Sequence, residues 1–233
     1  MHFLYKILYY HQKLMILEIK SISLYRNKKQ IFDNFNLILK KNQTLLLVGE
    51  NGVGKTSLMD MLVGLIEPEK GTVKIKGISV NNITNKSDYF TYLPHKDSLK
   101  ENLSVEENLR IWLDLNIKII NFREFQKKLE FFEIFQHKDQ LIRNLSFGQR
   151  KKVSLTKLLF STSKLWLLDE PFNGIDEKTV KALKKLLHSH TKKDGSILLS
   201  SHIDPKIKHS RKIILKKKIV NLNFKNIDRW EVL

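Results

Sequence analysis

The segment GENGVGKT (49–56) follows the short apolar run TLLLV (44–48) without a gap, and this juxtaposition restricts the folds open to the chain. A run that short and that apolar reads as a strand buried on both faces, the pattern of a parallel sheet covered by helices. After the loop, SLMDMLVGL places Leu58, Met61, Leu62 and Leu65 on one helical face. A loop between a buried strand and a helix start presents successive backbone N–H groups without helical partners. Together with the helix dipole, those donors favour a polyphosphate. Gly49, Gly52 and Gly54 let the backbone curl close to phosphate oxygens, and Lys55 supplies a mobile cation for the β and γ phosphates. Thr56 offers a hydroxyl to Mg²⁺, with Ser57 beside it. The expected nucleotide contacts are therefore Gly49, Glu50, Asn51, Gly52, Val53, Gly54, Lys55, Thr56 and Ser57, and the expected ligand is ATP.

A second apolar run, LWLL (165–168), delivers Asp169 at its end, followed by Glu170 and Pro171. An acid in Asp169's position can hold magnesium directly or through water. Glu170 points the other way and is placed to polarise a water for in-line attack on the γ phosphate. A solvated surface pair is the plainer reading of adjacent acids, but the apolar run before them argues against it.

The 233 residues suffice for one substantial domain, and the 42% hydrophobic content is that of a soluble globular chain. No uninterrupted apolar stretch reaches the roughly 18 to 20 residues that span a bilayer. The absence of cysteine excludes disulfides and cysteine-ligated zinc. A formal charge of +18, from 42 Lys and Arg against 24 Asp and Glu, invites anionic partners. The lysines are spread along the chain, however, and no aromatic-interleaved basic stripe or RNA-binding motif occurs, so no specific nucleic acid is expected. Anionic lipid headgroups are the easier partner. The stretch MHFLYKILYYHQKL (1–14) is basic and aromatic without an acid. It reads as an amphipathic anchor, a targeting fragment or a dispensable extension before Met15.

Alternation at 16–24 and 31–39 marks two half-buried strands around a turn at 27–29, and TVKIKG (72–77) starts another. The region 99–141 changes character, with helical spacing in ENLRIWLDL and FREFQKKLEFFEIF. Its aromatic residues are expected to pack between helices rather than to form an interaction stripe. A helix closes at 158–160, 196–200 is another buried strand, and 212–222 reads as a basic, hairpin-like terminal segment. The sum is an α/β nucleotide-binding core with a helical insert at about 95–160, in a single domain over 15–233.

LSFGQ (145–149), standing before the strand that ends in Asp169, resembles the signature of ATP-binding cassette (ABC) ATPases, usually written LSGGQ. The resemblance covers nearly the whole chain from about Met15. It implies the P-loop ABC fold, with a helical subdomain and an antiparallel β subdomain, and an ATPase coupled to transport. It also implies that Ser146, Gly148 and Gln149 bind the γ phosphate held by a second subunit, in a head-to-tail dimer that is a homodimer by expectation. Phe147 departs from the family glycine. By the same resemblance, NGID (173–176) is the loop signalling across the dimer, His202 the switch histidine contacting the γ phosphate, and Tyr25 an aromatic stacking on adenine. Where the family carries a glutamine that touches magnesium, the sequence offers His95 or Lys96.

Within the family, YLPHKDSLKENLSVEENLRIW and LWLLDEPFNGID look like the ATP-binding subunits of cytochrome c maturation systems. That likeness implies integral membrane permease partners on separate chains and a haem-handling step. It places the protein peripherally on a membrane, at the cytoplasmic face of a bacterial inner membrane or the matrix face of a mitochondrial one. The alternatives within reach of the sequence are an ATPase for another exporter, a soluble cassette acting on ribosome or DNA, and a cassette that binds ATP without turnover.

Overall fold

A computed structural model describes residues 14–26, 29–116 and 118–216. The extension before Leu14, most of the expected turn at 27–29 and the chain beyond 216 lie outside the described residues. Two strands open the fold, β1 (Met15–Arg26) and β2 (Lys29–Lys40), paired antiparallel with Leu17 opposite Leu39 and Ile19 opposite Leu37. The buried positions of β1 change phase between Ile19 and Ile22, which a period of two cannot accommodate without an extra residue. The register shifts there, and Ser21 takes a left-handed φ of 51°. β4 (Lys70–Ile75) joins the other side of β1, and the short β5 (Ile78–Ser79) closes a four-stranded antiparallel sheet in the order β2-β1-β4-β5.

The second sheet is parallel and has the order β6-β7-β8-β3-β9. Its strands are β3 (Thr44–Val48), β6 (Phe90–Leu93), β7 (Leu165–Asp169), β8 (Ser196–Ser201) and β9 (Ser210–Ile214). Alternate residues of β3 divide two cores. Leu45 and Leu47 face the antiparallel sheet and α1 (Lys55–Leu62), packing with Leu17, Ile19, Ile75, Leu58 and Met61. Leu46 faces the other way, with Trp166, Leu168, Leu199 and Leu183 of α5 (Glu177–Lys192). Burial on both faces explains why these strands are apolar throughout.

A third core belongs to α2 (Val105–Leu115), α3 (Phe122–Phe131) and α4 (Phe147–Phe160), and gathers Leu109, Leu113, Phe125, Leu129, Val153 and Phe160. Ser104 and Glu107 form a reciprocal capping box that starts α2. Buried Asn108 accepts from the Lys100 N–H and donates to the carbonyls of Lys100 and Ser104, which ties the connecting loop to the helix. Of the aromatic stretch, Phe125 and Phe132 are buried whereas Phe122 and Phe131 remain exposed.

One expectation fails. Leu65 is exposed, because α1 stops at Leu62 and Gly64 turns the chain at φ 71°. Of the expected hairpin-like segment 212–222, the described part is the end of β9, which pairs parallel with β3, and residues 217–222 lie outside the described residues.

His190 stacks on Trp166, with ring centroids 3.6 Å apart, and its Nε2 is buried without a partner. Burial pushes its pKa down to about 4. Because the unfolded chain binds this proton more readily, the ring's contribution is complete above the ordinary histidine pKa and lost as pH falls from about 6.5 toward 4. His190→Phe, which keeps the stack, is expected to lose roughly 2 kcal/mol less stability than wild type over that interval, measured by urea unfolding.

Candidate nucleotide-binding and hydrolysis site

Because β3, β7 and β8 run parallel, their C-terminal ends emerge on one edge of the sheet. That edge carries the loop 49–56, the pair Asp169–Glu170 and the segment Ser200–His202, the usual ligand position in an open α/β sheet. The loop is folded tightly against β2. Gly54 has φ 105°, and a Cβ there would stand 2.4 Å from Ile31 Cγ2. Its position just ahead of α1 leaves the first N–H groups of that helix free for an anion.

Lys55 is only 6% exposed. Its ammonium donates to the carbonyls of Gly49 (2.7 Å) and Glu50 (3.1 Å), and lies 3.3 Å from Glu170 Oε1. Thr56 Oγ1 donates to Asp169 Oδ2 at 2.8 Å. These two oxygens are the hard donors that magnesium takes, so the residues fit that ion. Ser57 accepts from the Arg26 guanidinium at 3.1 Å.

Glu170 departs from the strand in a left-handed conformation, φ 50°, and its carboxylate meets Lys55 whereas that of Asp169 meets Thr56. His202 Nδ1 stands 2.9 Å from Glu170 Oε2, and the His202 backbone N–H donates to the same oxygen. Burial pushes the Glu170 carboxyl up, but the hydrogen bonds from His202 and the Lys55 charge outweigh it and hold the group below the usual carboxylate range. Ser200, fully buried, joins the two acids. Its hydroxyl donates to Asp169 Oδ1 and accepts from the Glu170 N–H. In the sequence this serine has no distinguishing mark, because β8 reads SILLSS and carries serines at both ends.

A cleft of about 500 Å³ is lined by Asn51, Gly52, Gly54, Lys55, Thr56, Ser57, Glu170 and His202, and also by Asn173. Of the two candidates for the glutamine position, His95 lines this cleft and Lys96 does not. Arg26 and Ile31 form its outer wall, while Tyr25 is half exposed, its N–H held by Glu69, and does not line it. Val53 is buried in the core behind the loop, and Glu50 is exposed.

Ser146, Gly148 and Gln149 do not line the cleft either; they sit at the start of α4. Ser146 Oγ accepts from the Gln149 N–H while Gln149 Oε1 accepts from the Ser146 N–H, a capping box on a 14-residue helix. The exposed Phe147 ring lies over Gly174, where φ is 73° and a Cβ would stand 2.0 Å from the ring. A large residue at 147 is therefore accommodated by the lack of one at 174. Lys152 pairs with Asp176 at 2.9 Å, a second tie between the helix and the loop 173–176. Deeper in α4, Lys151 is buried. Desolvation lowers its pKa, and the charges of Asp169, Asp97 and Glu170 oppose that shift.

These features define an ATP-binding cassette with one nucleotide cleft and a separate, outward-facing signature. The family model described as ABC transporter matches residues 32–173, and the chain belongs to that family. It is similar to the "Cytochrome c biogenesis ATP-binding export protein CcmA" of Histophilus somni, 35% identical over 193 residues, covering 80% of this chain and 86% of the relative. The protein of the same name from Reclinomonas americana is 31% identical over 205 residues, covering 87% and 92%. Among solved structures, an ATP-binding subunit of an ABC transporter matches at TM-score 0.75 and 26% identity, covering 86% of this chain and 85% of the other. A putative ABC transporter ATP-binding protein from Pyrococcus furiosus matches at TM-score 0.74 and 25% identity, covering 85% and 96%. The chain is thus an ATP-hydrolysing subunit of a transporter.

Ser200→Ala is expected to cost about 1–3 kcal/mol of stability, the range for stranding a buried partner. It should lower ATP turnover more than ATP affinity, because it loosens both acids while leaving the phosphate loop intact. Chemical denaturation and steady-state ATPase assays read the two effects.

Proposed function

We propose that the chain is the ATPase that drives the haem-handling step of cytochrome c maturation, seated on integral membrane permease subunits. The similarity to cytochrome c biogenesis export proteins over most of both chains carries this reading. The protein would lie peripherally, at the cytoplasmic face of a bacterial inner membrane or the matrix face of a mitochondrial one. No described helix is long and apolar enough to cross a membrane, so the permease is assigned to separate chains.

The chemistry follows from the residues at the sheet edge. ATP places its β and γ phosphates against the free N–H groups of the loop and against Lys55. The γ phosphate competes with Glu170 for the ammonium, now 3.3 Å from the carboxylate, and so releases Glu170 toward the attacking water. Glu170 accepts the water's proton, and His202, bonded to its Oε2, fixes the carboxylate's direction. Thr56 and Asp169 would hold magnesium, which when bound would neutralise charge on the phosphate oxygens. His95 reaches the same cleft from the loop that leads into the helical unit. Ser146, Gly148 and Gln149 complete the γ-phosphate site of a second copy, with the helix N-terminus and its N–H groups directed at the partner's nucleotide.

Glu170→Gln is expected to lower turnover by at least about a hundredfold, the scale of a positioned general base, and to keep ATP affinity. Unchanged turnover would remove Glu170 from this role. Pull-down of that variant from detergent-solubilised native membranes with ATP and Mg²⁺ tests the biological assignment. Recovery of multi-spanning cytochrome-maturation proteins is the expected result. An unrelated permease would discard the haem step and keep the motor, and ribosomes or nucleic acid alone would overturn the transporter role.

A further inference from the structure

A second cavity, of about 550 Å³, opens at the opposite end of β3. Thr44, which begins the strand, forms part of its floor, whereas the phosphate loop leaves after Val48. A strand of that length separates the two by about 13 Å. Six of the nine lining residues are basic: Lys184, Lys185 and His188 from α5, and Lys206, Lys208 and His209 from the segment entering β9. No carboxylate among the described residues lines it.

The concentration of charge is not the general basicity of the chain. Lys, Arg and His make up 50 of 233 residues overall, about one in five, against two in three at this cavity. None of the four lysines forms an ion pair with a described carboxylate within 4 Å. The nearest acid in sequence, Asp204, is engaged by the Lys212 ammonium and the Lys206 N–H. Within α5, Lys184 and His188 stand four residues apart and so share one face of the helix.

The backbone is shaped to the same end. Lys206 and His209 are both left-handed, with φ of 53° and 59°, an uncommon conformation for side-chain-bearing residues and here repeated within four positions. Between them Ile207 packs against the core that holds α5, which anchors the segment while its basic neighbours flank the cavity. Two left-handed residues and a partly buried anchor thus bring basic groups from two elements to one concavity.

We propose that this basin is a phosphoryl-binding site distinct from the nucleotide cleft. Lysine ammonium groups on both walls grip a phosphate carried either by an anionic phospholipid headgroup or by a soluble polyphosphate. At the bilayer surface such a site would hold the cassette against the membrane independently of the permease.

The test uses the full chain carrying Lys55→Ala, to weaken competing binding at the cleft, titrated with inorganic tripolyphosphate at fixed ionic strength. Lys185→Glu with Lys208→Glu should weaken binding at least about tenfold, the lower end for losing a charge-assisted bond. Lys74→Glu with Lys127→Glu, an equal charge change on exposed positions elsewhere, should leave it within about twofold. Equal weakening by both pairs, or none by the first, would overturn the site. In the Lys55-intact chain the Lys185/Lys208 pair should keep wild-type ATP turnover, which separates this result from misfolding and from any failure of the nucleotide-site reading. Flotation with phosphatidylcholine vesicles containing phosphatidylglycerol then identifies the source. Flotation lost only in the Lys185/Lys208 variant assigns the headgroup, and flotation unchanged by it assigns the soluble anion.

Discussion

The arrangement of the cleft depends on how one buried ammonium is held. Removing Lys55 from water is costly unless its three donors are met, and here two loop carbonyls and the Glu170 carboxylate meet them. Curling the loop far enough to offer those carbonyls demands a left-handed Gly54 pressed against β2. Bringing the carboxylate within reach demands that β7 lie two strands from β3 in a parallel sheet, ending at the same level. The same clasp gives the site its chemical sense, since the partner Lys55 now holds is the group a phosphate must replace.

From that edge the structure has two routes into the helical unit. One is the loop bearing His95, which leaves β6 beside the cleft and is tied by Asn108 to the start of α2. The other is α4, whose buried Lys151 is coupled electrostatically to Asp97 of that loop and to Asp169 and Glu170. Lys157, one further turn and a half along α4, is likewise buried, which pushes its pKa down to about 8, and Asp97 opposes the shift. Few, poorly screened charged groups therefore lie between the acids of the cleft and the helices. Phe147 on Gly174 and Lys152 on Asp176 link the signature to the loop after Glu170 in the same way.

Much of this was legible in the sequence because the signals are local. A short apolar run followed at once by a glycine-rich loop can hardly be anything but a buried strand feeding an anion site. The acids after LWLL are read by the same logic. What escaped was non-local or depended on orientation. Leu65 fitted the helical face, but Gly64 ended the helix first. The pairing of β9 is hidden for another reason, since its partner β3 lies far earlier in the chain and leaves no mark on the local pattern. Ser200 carries no spacing signature, and only the fold sets it between Asp169 and Glu170. His95 and Lys96 are adjacent, so which one faces the nucleotide is a matter of chain direction that composition does not encode. The basic basin was invisible for a further reason: α5 and the segment before β9 contribute lysines that look dispersed along the chain and converge only in space.

The central claim is that each hydrolytic site is divided between two copies, with the cleft of one facing the signature of the other. Mixing two inactive variants tests it most directly. Lys55→Ala disables one chain's cleft, and Ser146→Arg disables the other's signature; in the mixed dimer one complete site survives. The account predicts that each variant alone is inactive and that an equal mixture recovers up to about a quarter of wild-type ATP turnover, the share expected from random pairing in a two-fold dimer. No recovery on mixing, or full turnover by the Ser146→Arg chain alone, would contradict it.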